Sequence, residues 1–218
     1  EIEAELMHEF LRNRSKGFAY TPIIASGENA NVLHYIANNM QCKDGDVILL
    51  DVGAEYANYS SDLTRMIPVN GKFTARQKEI YNAVLDMKNF ATSLLVPGNN
   101  WYDYHKECGE FYTSKFLELG LLDKADVQNQ DKNWPAYKKY MMHGTSHHLG
   151  LDTHDYGILK DKFVENMVFT VEPGIYLPAE GFGVRIEDDM VIQNSGPAFN
   201  LMKNIPIEVE EIEELMNS

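Results

Sequence analysis

An α+β fold is predicted, with helices laid over a curved antiparallel sheet, and three observations predict it. Two stretches read as β-hairpins whose strands carry carboxylates where apolar residues belong. Several other segments carry the apolar spacing, caps and stops of helices. No short-period repeat, low-complexity run or linker divides the 218 residues, so a single domain with a substantial core is expected.

The elements follow in chain order. Residues 2–14 are amphipathic and read as a helix ending near Gly17. Residues 46–51 form a buried apolar strand, and residues 63–69 form a second. A two-residue turn at Tyr56-Ala57 between them would set Asp51 opposite Asp62 on one face. Thr74 and Gln77 make a capping box that opens a helix running to about Leu95, where Pro97-Gly98 stops it. A further helix is expected from about Tyr102 to Leu119, stopped by Gly120. Its Tyr104, Cys108, Phe111, Tyr112 and Phe116 read as core. Residues 121–139 are polar and read as a loop with a short helix near Trp134. A hairpin centred on Ala179-Glu180 would set Glu172 opposite Glu187, although Pro178 and two nearby glycines make that connection irregular. The acidic segment 208–216 reads as a terminal helix or solvated face.

Asp51, Asp62, Glu172 and Glu187 carry the chemistry. A charge inside an apolar strand costs several kcal/mol, on the order of what a buried ion loses on leaving water, unless it is paired or holds a cation. Like charges facing across a strand pair also repel. Two such pairs in pseudo-symmetric hairpins, with a histidine cluster between them in sequence, point to a two-metal site between the halves. Two divalent cations would balance the four carboxylates. Oxygen-rich ligation favours Mn²⁺, with Co²⁺ and Zn²⁺ as alternatives, and no Cys ligand is implied. Structural Ca²⁺ is a weaker reading, because it favours oxygen donors throughout. His143 and His147 have the spacing of a zincin helix, but Gly144 stands where the Glu would be, and Gly144, Thr145 and Ser146 disfavour a helix. Spacing alone does not choose the metal ligand among His143, His147, His148 and His154.

The same residues carry a resemblance. They run from Ser26-Gly27-Glu28-Asn29 and Leu33-His34-Tyr35 through Asp51-Val52-Gly53 and Asp62-Leu63-Thr64-Arg65 to Pro68-Val69-Asn70-Gly71. The block from His143 to Asp155, Thr170-Val171-Glu172-Pro173-Gly174 and Arg185-Ile186-Glu187-Asp188-Asp189 complete the match. The chain resembles the catalytic domain of the pita-bread metallopeptidases, most closely the Xaa-Pro aminopeptidase (aminopeptidase P) group, over nearly its full length. The resemblance implies a pita-bread fold, with a pseudo-symmetric curved antiparallel sheet covered by helices. It implies that Asp51 holds one metal, that His147 and Glu172 hold the other, and that Asp62 and Glu187 bridge both. It further implies hydrolysis by a metal-bridging hydroxide, with Glu172 taking the proton. His154 and His34 would meet the substrate carbonyl or oxyanion, and His143 and Arg185 would orient ligands. His148 reads as a surface or packing residue. The implied substrates are peptides with proline at the second position. Prolidase, which cleaves Xaa-Pro dipeptides, and the non-catalytic peptide-binding members of the fold are the alternatives; methionine aminopeptidase is more distant.

Composition is consistent with these expectations. The net charge of −14 argues against nucleic acid or an anionic membrane as partner. Cys42 and Cys108 are not metal-spaced, and reduced thiols in a cytoplasmic protein are the simpler reading. No membrane span or signal peptide is visible. Asn58-Tyr59-Ser60 matches a glycosylation acceptor but lies between two carboxylates and is dismissed. The chain begins at Glu1, at a helix that relatives place after a separate amino-terminal domain. That implies an isolated catalytic domain, residues 1–218, of a protein that is a homo-oligomer at full length.

Overall fold

The computed structural model describes all 218 residues. Helix α1 (Ile2–Arg12) leads to the short strand β1 (Gly17–Phe18) and to β2 (Ile23–Ser26). The first hairpin follows as β3 (Val47–Val52), β4 (Ala54–Tyr56), β5 (Tyr59–Ser60) and β6 (Leu63–Pro68). Two long helices come next, α2 (Ala75–Ser93) and α3 (Trp101–Glu118), then the short α4 (Lys124–Gln128). The second hairpin comprises β7 (Val168–Val171), β8 (Gly174–Leu177), β9 (Phe182–Arg185) and β10 (Asp188–Val191). β11 (Phe199–Asn200) and α5 (Val209–Met216) close the chain. No helix is long and apolar enough to cross a membrane.

Every ladder is antiparallel. β3 is the centre of a sheet ordered β2–β3–β6, and β4 lies between β1 and β5. The second hairpin is one long pair broken in the middle. β7 pairs with β10 and β8 with β9, in a single register that carries Val171 opposite Asp188 and Gly174 opposite Arg185. The expected register therefore holds here, and Glu172 and Glu187 fall at the break. Pro173 has no N–H to donate, so the ladder cannot run through it. Its carbonyl still accepts the Ile186 N–H at 3.3 Å. The two halves of the molecule join where the Glu187 N–H donates to the Thr64 carbonyl at 3.1 Å.

The first hairpin corrects the expectation. Its turn lies at Ala57-Asn58, not Tyr56-Ala57, and Asp51 faces Thr64 rather than Asp62. Both turn residues have positive φ, 52° and 67°, as a type I′ turn requires, and Asn tolerates that region better than Tyr. The slip is two residues, so Asp62 stays on the face of Asp51, one step diagonally along. The ladder lapses around Gly53, where a Cβ would lie 1.8 Å from the Ser61 carbonyl oxygen.

Helix α2 opens with the capping box of Thr74 and Gln77, both halves of which form. It buries Ile80, Val84, Met87 and Ala91, and α3 buries Tyr104, Cys108, Tyr112 and Phe116; both faces belong to one core with the sheets. Phe111 is only partly buried and stacks on Phe90 at 4.2 Å. Segment 121–139 differs from expectation. It holds α4, capped by Asp123, and a single 3₁₀ turn at Ala136–Lys139, whereas Trp134 lies before that turn and is exposed. The acidic tail is helical, with Val209 and Ile212 buried. Cys42 and Cys108 are unpaired.

Candidate metal centre

A cavity of about 860 Å³ opens where the two hairpins meet. Asp51, Asp62, His147, Glu172, Glu187, His34, His143, His154 and Arg185 all line it. Each arrives by a short rule of chain geometry. Asp51 is next to last in β3, Asp62 immediately precedes β6, and Glu172 and Glu187 occupy the break in the second hairpin. His147 comes from the irregular segment before β7. That segment is held alongside the strand by the Thr170 N–H donating to the His147 carbonyl at 3.0 Å and the Glu172 N–H to the Thr145 carbonyl at 2.8 Å.

Ligand atoms of Asp62, His147 and Glu187 lie within 4.8 Å of one another. The histidine turns one ring nitrogen toward these carboxylates. His147 Nδ1 sits 2.9 Å from the His148 carbonyl, which only accepts, so Nδ1 carries the proton and Nε2 faces Asp62 at 3.4 Å. Glu172 Oε1 lies 3.7 Å from the same Nε2. Glu187 is 1 % exposed: Thr64 donates to its Oε2 at 2.7 Å, while its buried Oε1 has no partner. The Tyr20 hydroxyl stands 2.5 Å from both Asp51 Oδ1 and Asp62 Oδ1, although one proton serves only one of them.

Crowding registers as proton affinity. Burial pushes Glu172 up to about 7 against the pull of His147, and Glu187 is raised well above the carboxylate range by burial and by Asp62. Asp51 is raised by burial although Arg185 opposes the shift. An orphaned carboxylate oxygen, an imidazole that Asp62 and Glu172 drive toward holding positive charge although burial opposes it, and a set of carboxylates that resist ionising together are what divalent cations satisfy. The residues fit such ions.

Behind the carboxylates runs a chain of fixed hydrogen bonds. Arg185, 3 % exposed, donates through Nη2 to Asp51 Oδ2 at 2.5 Å and through Nη1 to the Tyr176 hydroxyl at 2.9 Å. Guanidinium only donates, so Tyr176 is left to donate to His143 Nε2 at 2.7 Å, while His143 Nδ1 donates to the Gly144 carbonyl at 2.7 Å. Burial and the Arg185 charge lower His143 to about 3, so its ring is neutral. His154 lies edge-on to His147 with ring centroids 4.3 Å apart. His148 packs against Trp101 and Phe169 and accepts from the Trp101 indole at 3.3 Å, as a packing histidine does.

Sequence reasoning missed Tyr20, Thr64, Tyr176 and Asp189. Asp189 is 1 % exposed, accepts the Asp62 N–H at 3.1 Å and is pushed up to about 8 by burial. Three of the four were signalled by strand parity. Thr64 is two residues from Asp62, Tyr176 four from Glu172 and Asp189 two from Glu187, each on its partner's face. Tyr20 carries no such signal, because it reaches the site from a loop.

Residues 1–194 match the family "Metallopeptidase family M24". Xaa-Pro aminopeptidase of Haemophilus influenzae is 42 % identical across 100 % of this chain and 53 % of its own length. Human Xaa-Pro aminopeptidase 3 is 38 % identical, covering 90 % of this chain and 40 % of its own. Among solved structures, zinc-substituted Escherichia coli aminopeptidase P in complex with product superposes with a TM-score of 0.90 at 39 % identity, over 99 % of this chain and 51 % of that one. The chain thus spans about half the length of the bacterial relative or less of the human one.

Proposed function

This chain belongs to metallopeptidase family M24, and on that premise we propose that residues 1–218 are the catalytic unit of a dinuclear-metal aminopeptidase. It releases the residue that precedes a proline at the second position of a peptide. The observation that carries this reading is the convergence of Asp51, Asp62, His147, Glu172 and Glu187 on one cavity, with His147 Nε2 turned toward Asp62 and Glu187 Oε1 unpartnered. Asp51 would serve one ion, His147 and Glu172 the other, and Asp62 and Glu187 both. Mn²⁺ suits the oxygen-rich set, with Co²⁺ and Zn²⁺ as alternatives. When bound, such a pair lowers the pKa of a shared water and polarises the scissile carbonyl.

The chain's own residues do the rest. Glu172, on the cavity wall beside His147, would take a proton from the attacking water and return it to the leaving proline nitrogen. His154 and His34 face the substrate carbonyl from the cavity wall. Arg185, Tyr176 and His143 hold Asp51 and the wall beside Glu172 in one orientation. Ile23, Leu33 and Ile36 give the cavity an apolar side that suits a proline ring, which has no N–H to satisfy. The unpaired cysteines support a place in the cytoplasm, and the family reading supports assembly as a homo-oligomer at full length.

The test is cleavage by chain stripped with chelator and reloaded with Mn²⁺, followed by mass spectrometry on Ala-Pro-Ala, Ala-Pro and Ala-Ala-Ala. Alanine and Pro-Ala should appear from the first peptide, only with metal, and Ala-Ala-Ala should stay intact. Cleavage of Ala-Pro alone would assign a prolidase instead. No cleavage of any peptide by a metal-loaded sample would overturn the reading in favour of a binding module.

A further inference from the structure

We propose that Tyr104 and Tyr112 on α3 are positioning residues for the cation centre, acting through the Thr145-Ser146 turn. The proposal rests on the metal reading above. His147 sits outside the named strands, in a segment whose backbone lies antiparallel to β7 through the Thr170 N–H to the His147 carbonyl and the bridge of His148 with Phe169, so that ladder holds it from the β7 side only. The segment is gripped from behind. The Tyr104 hydroxyl pairs with Ser146 Oγ at 2.6 Å, and the Tyr112 hydroxyl donates to Thr145 Oγ1 at 3.0 Å. All four residues are buried, with both tyrosines at 1 % exposure or less.

What the turn carries makes the grip consequential. Thr145 accepts the Glu172 N–H at 2.8 Å, and the His147 N–H donates to Thr170 Oγ1 at 3.2 Å. Moving the turn therefore moves His147 and the backbone of Glu172 together. A phenol hydroxyl on an otherwise apolar helix face is costly to bury unless it has a partner, and for Tyr104 that partner is Ser146. Cys108 lies on the same face of α3, but burial pushes its thiol up to about 12, so it is no nucleophile. The hydroxyls, one helical turn either side of it, are the functional part of this face.

Phenylalanine removes each oxygen and leaves the ring. Calorimetric titration of the metal-stripped chain with Mn²⁺ should show affinity falling on the order of 10–100-fold in Tyr104→Phe, and less in Tyr112→Phe, whose bond is longer. Ser146→Ala removes the same bond from the other side, so it should lose a similar amount, and the Tyr104→Phe/Ser146→Ala double variant should lose no more than either single. Ser146→Ala alone carries the test if Tyr104→Phe does not fold. Tyr81→Phe is the structural control. Its buried hydroxyl donates to the Ile207 carbonyl at 2.6 Å, and neither residue lines the cavity. It should lose stability while keeping wild-type Mn²⁺ affinity. Wild-type affinity in both Tyr104→Phe and Ser146→Ala, or an equal loss in Tyr81→Phe, would overturn the proposal and leave the metal reading standing. A wild-type chain that takes up no Mn²⁺ would overturn both.

Discussion

Glu172 illustrates how much one side chain's surroundings decide. It is held by its backbone N–H to Thr145, faces His147 and His143, and has a proton affinity near neutrality because burial disfavours its charge. Glu172→Gln keeps the shape and removes the proton acceptor. We expect kcat to fall on the order of 10²–10⁴-fold in the Mn²⁺-loaded enzyme, with Mn²⁺ content checked to separate the lost proton path from a weakened cation ligand. A retained kcat would remove Glu172 from the proton path. The four carboxylates were legible in the sequence because charge set in or against an apolar run has few explanations, although only Asp51 lies within a strand. Which histidine faces them was not legible from spacing, because it depends on how residues 145–149 lie against β7, which turns His147 to the cavity and His148 to Trp101.

At the scale of elements, the site is built from places where regular structure lapses. The second hairpin was readable because its register continues through the break at Pro173. The first was misplaced by two residues because the turn chemistry, positive φ at Ala57 and Asn58, outweighed the symmetry of the carboxylates. The lapse at Gly53 is sterically obligatory. Gly53→Ala puts a methyl into the Ser61 carbonyl and should destabilise by about 1–3 kcal/mol or more, read from urea unfolding. Wild-type stability would mean that the strand exit is mobile. Behind Glu187, Asp188 is fully buried between Arg65 and Lys88, and Arg65 also donates to the Glu187 carbonyl at 2.7 Å. Lys88→Met leaves a buried charge short of a partner and should cost about 3–5 kcal/mol in the same measurement. A loss under ~1 kcal/mol would show that Arg65 and Asn200, whose amide donates to Asp188 Oδ2 at 2.7 Å, suffice.

For the whole molecule, the account predicts a sign. Glu172 at about 7 and Asp189 at about 8 lie above their unfolded values of 4.5 and 3.8, so the folded chain without metal holds protons that the unfolded chain has released. That contribution is complete below roughly pH 4 and is lost as pH rises through about 7 to 8. In chelator, Tm should fall between about pH 6.5 and 8, above the range in which the lowered His143 acts with the opposite sign; Mn²⁺ should reduce or reverse the fall by replacing those protons. A Tm indifferent to both pH and metal would contradict the electrostatic description. The α+β class, the long helices and the second hairpin were legible because periodicity and caps act locally. Tyr20 and the grip of α3 on the histidine segment were not, because they are tertiary contacts between residues far apart in sequence.

The central claim is that two cations share the carboxylates of Asp62 and Glu187. Anomalous diffraction from crystals of the chain loaded with Mn²⁺ tests it most directly. The account predicts two peaks about 3.5–4 Å apart, both in contact with Asp62 and Glu187, one also meeting Asp51 and the other His147 and Glu172. A single peak, or peaks away from these side chains in crystals grown with saturating Mn²⁺, would contradict it.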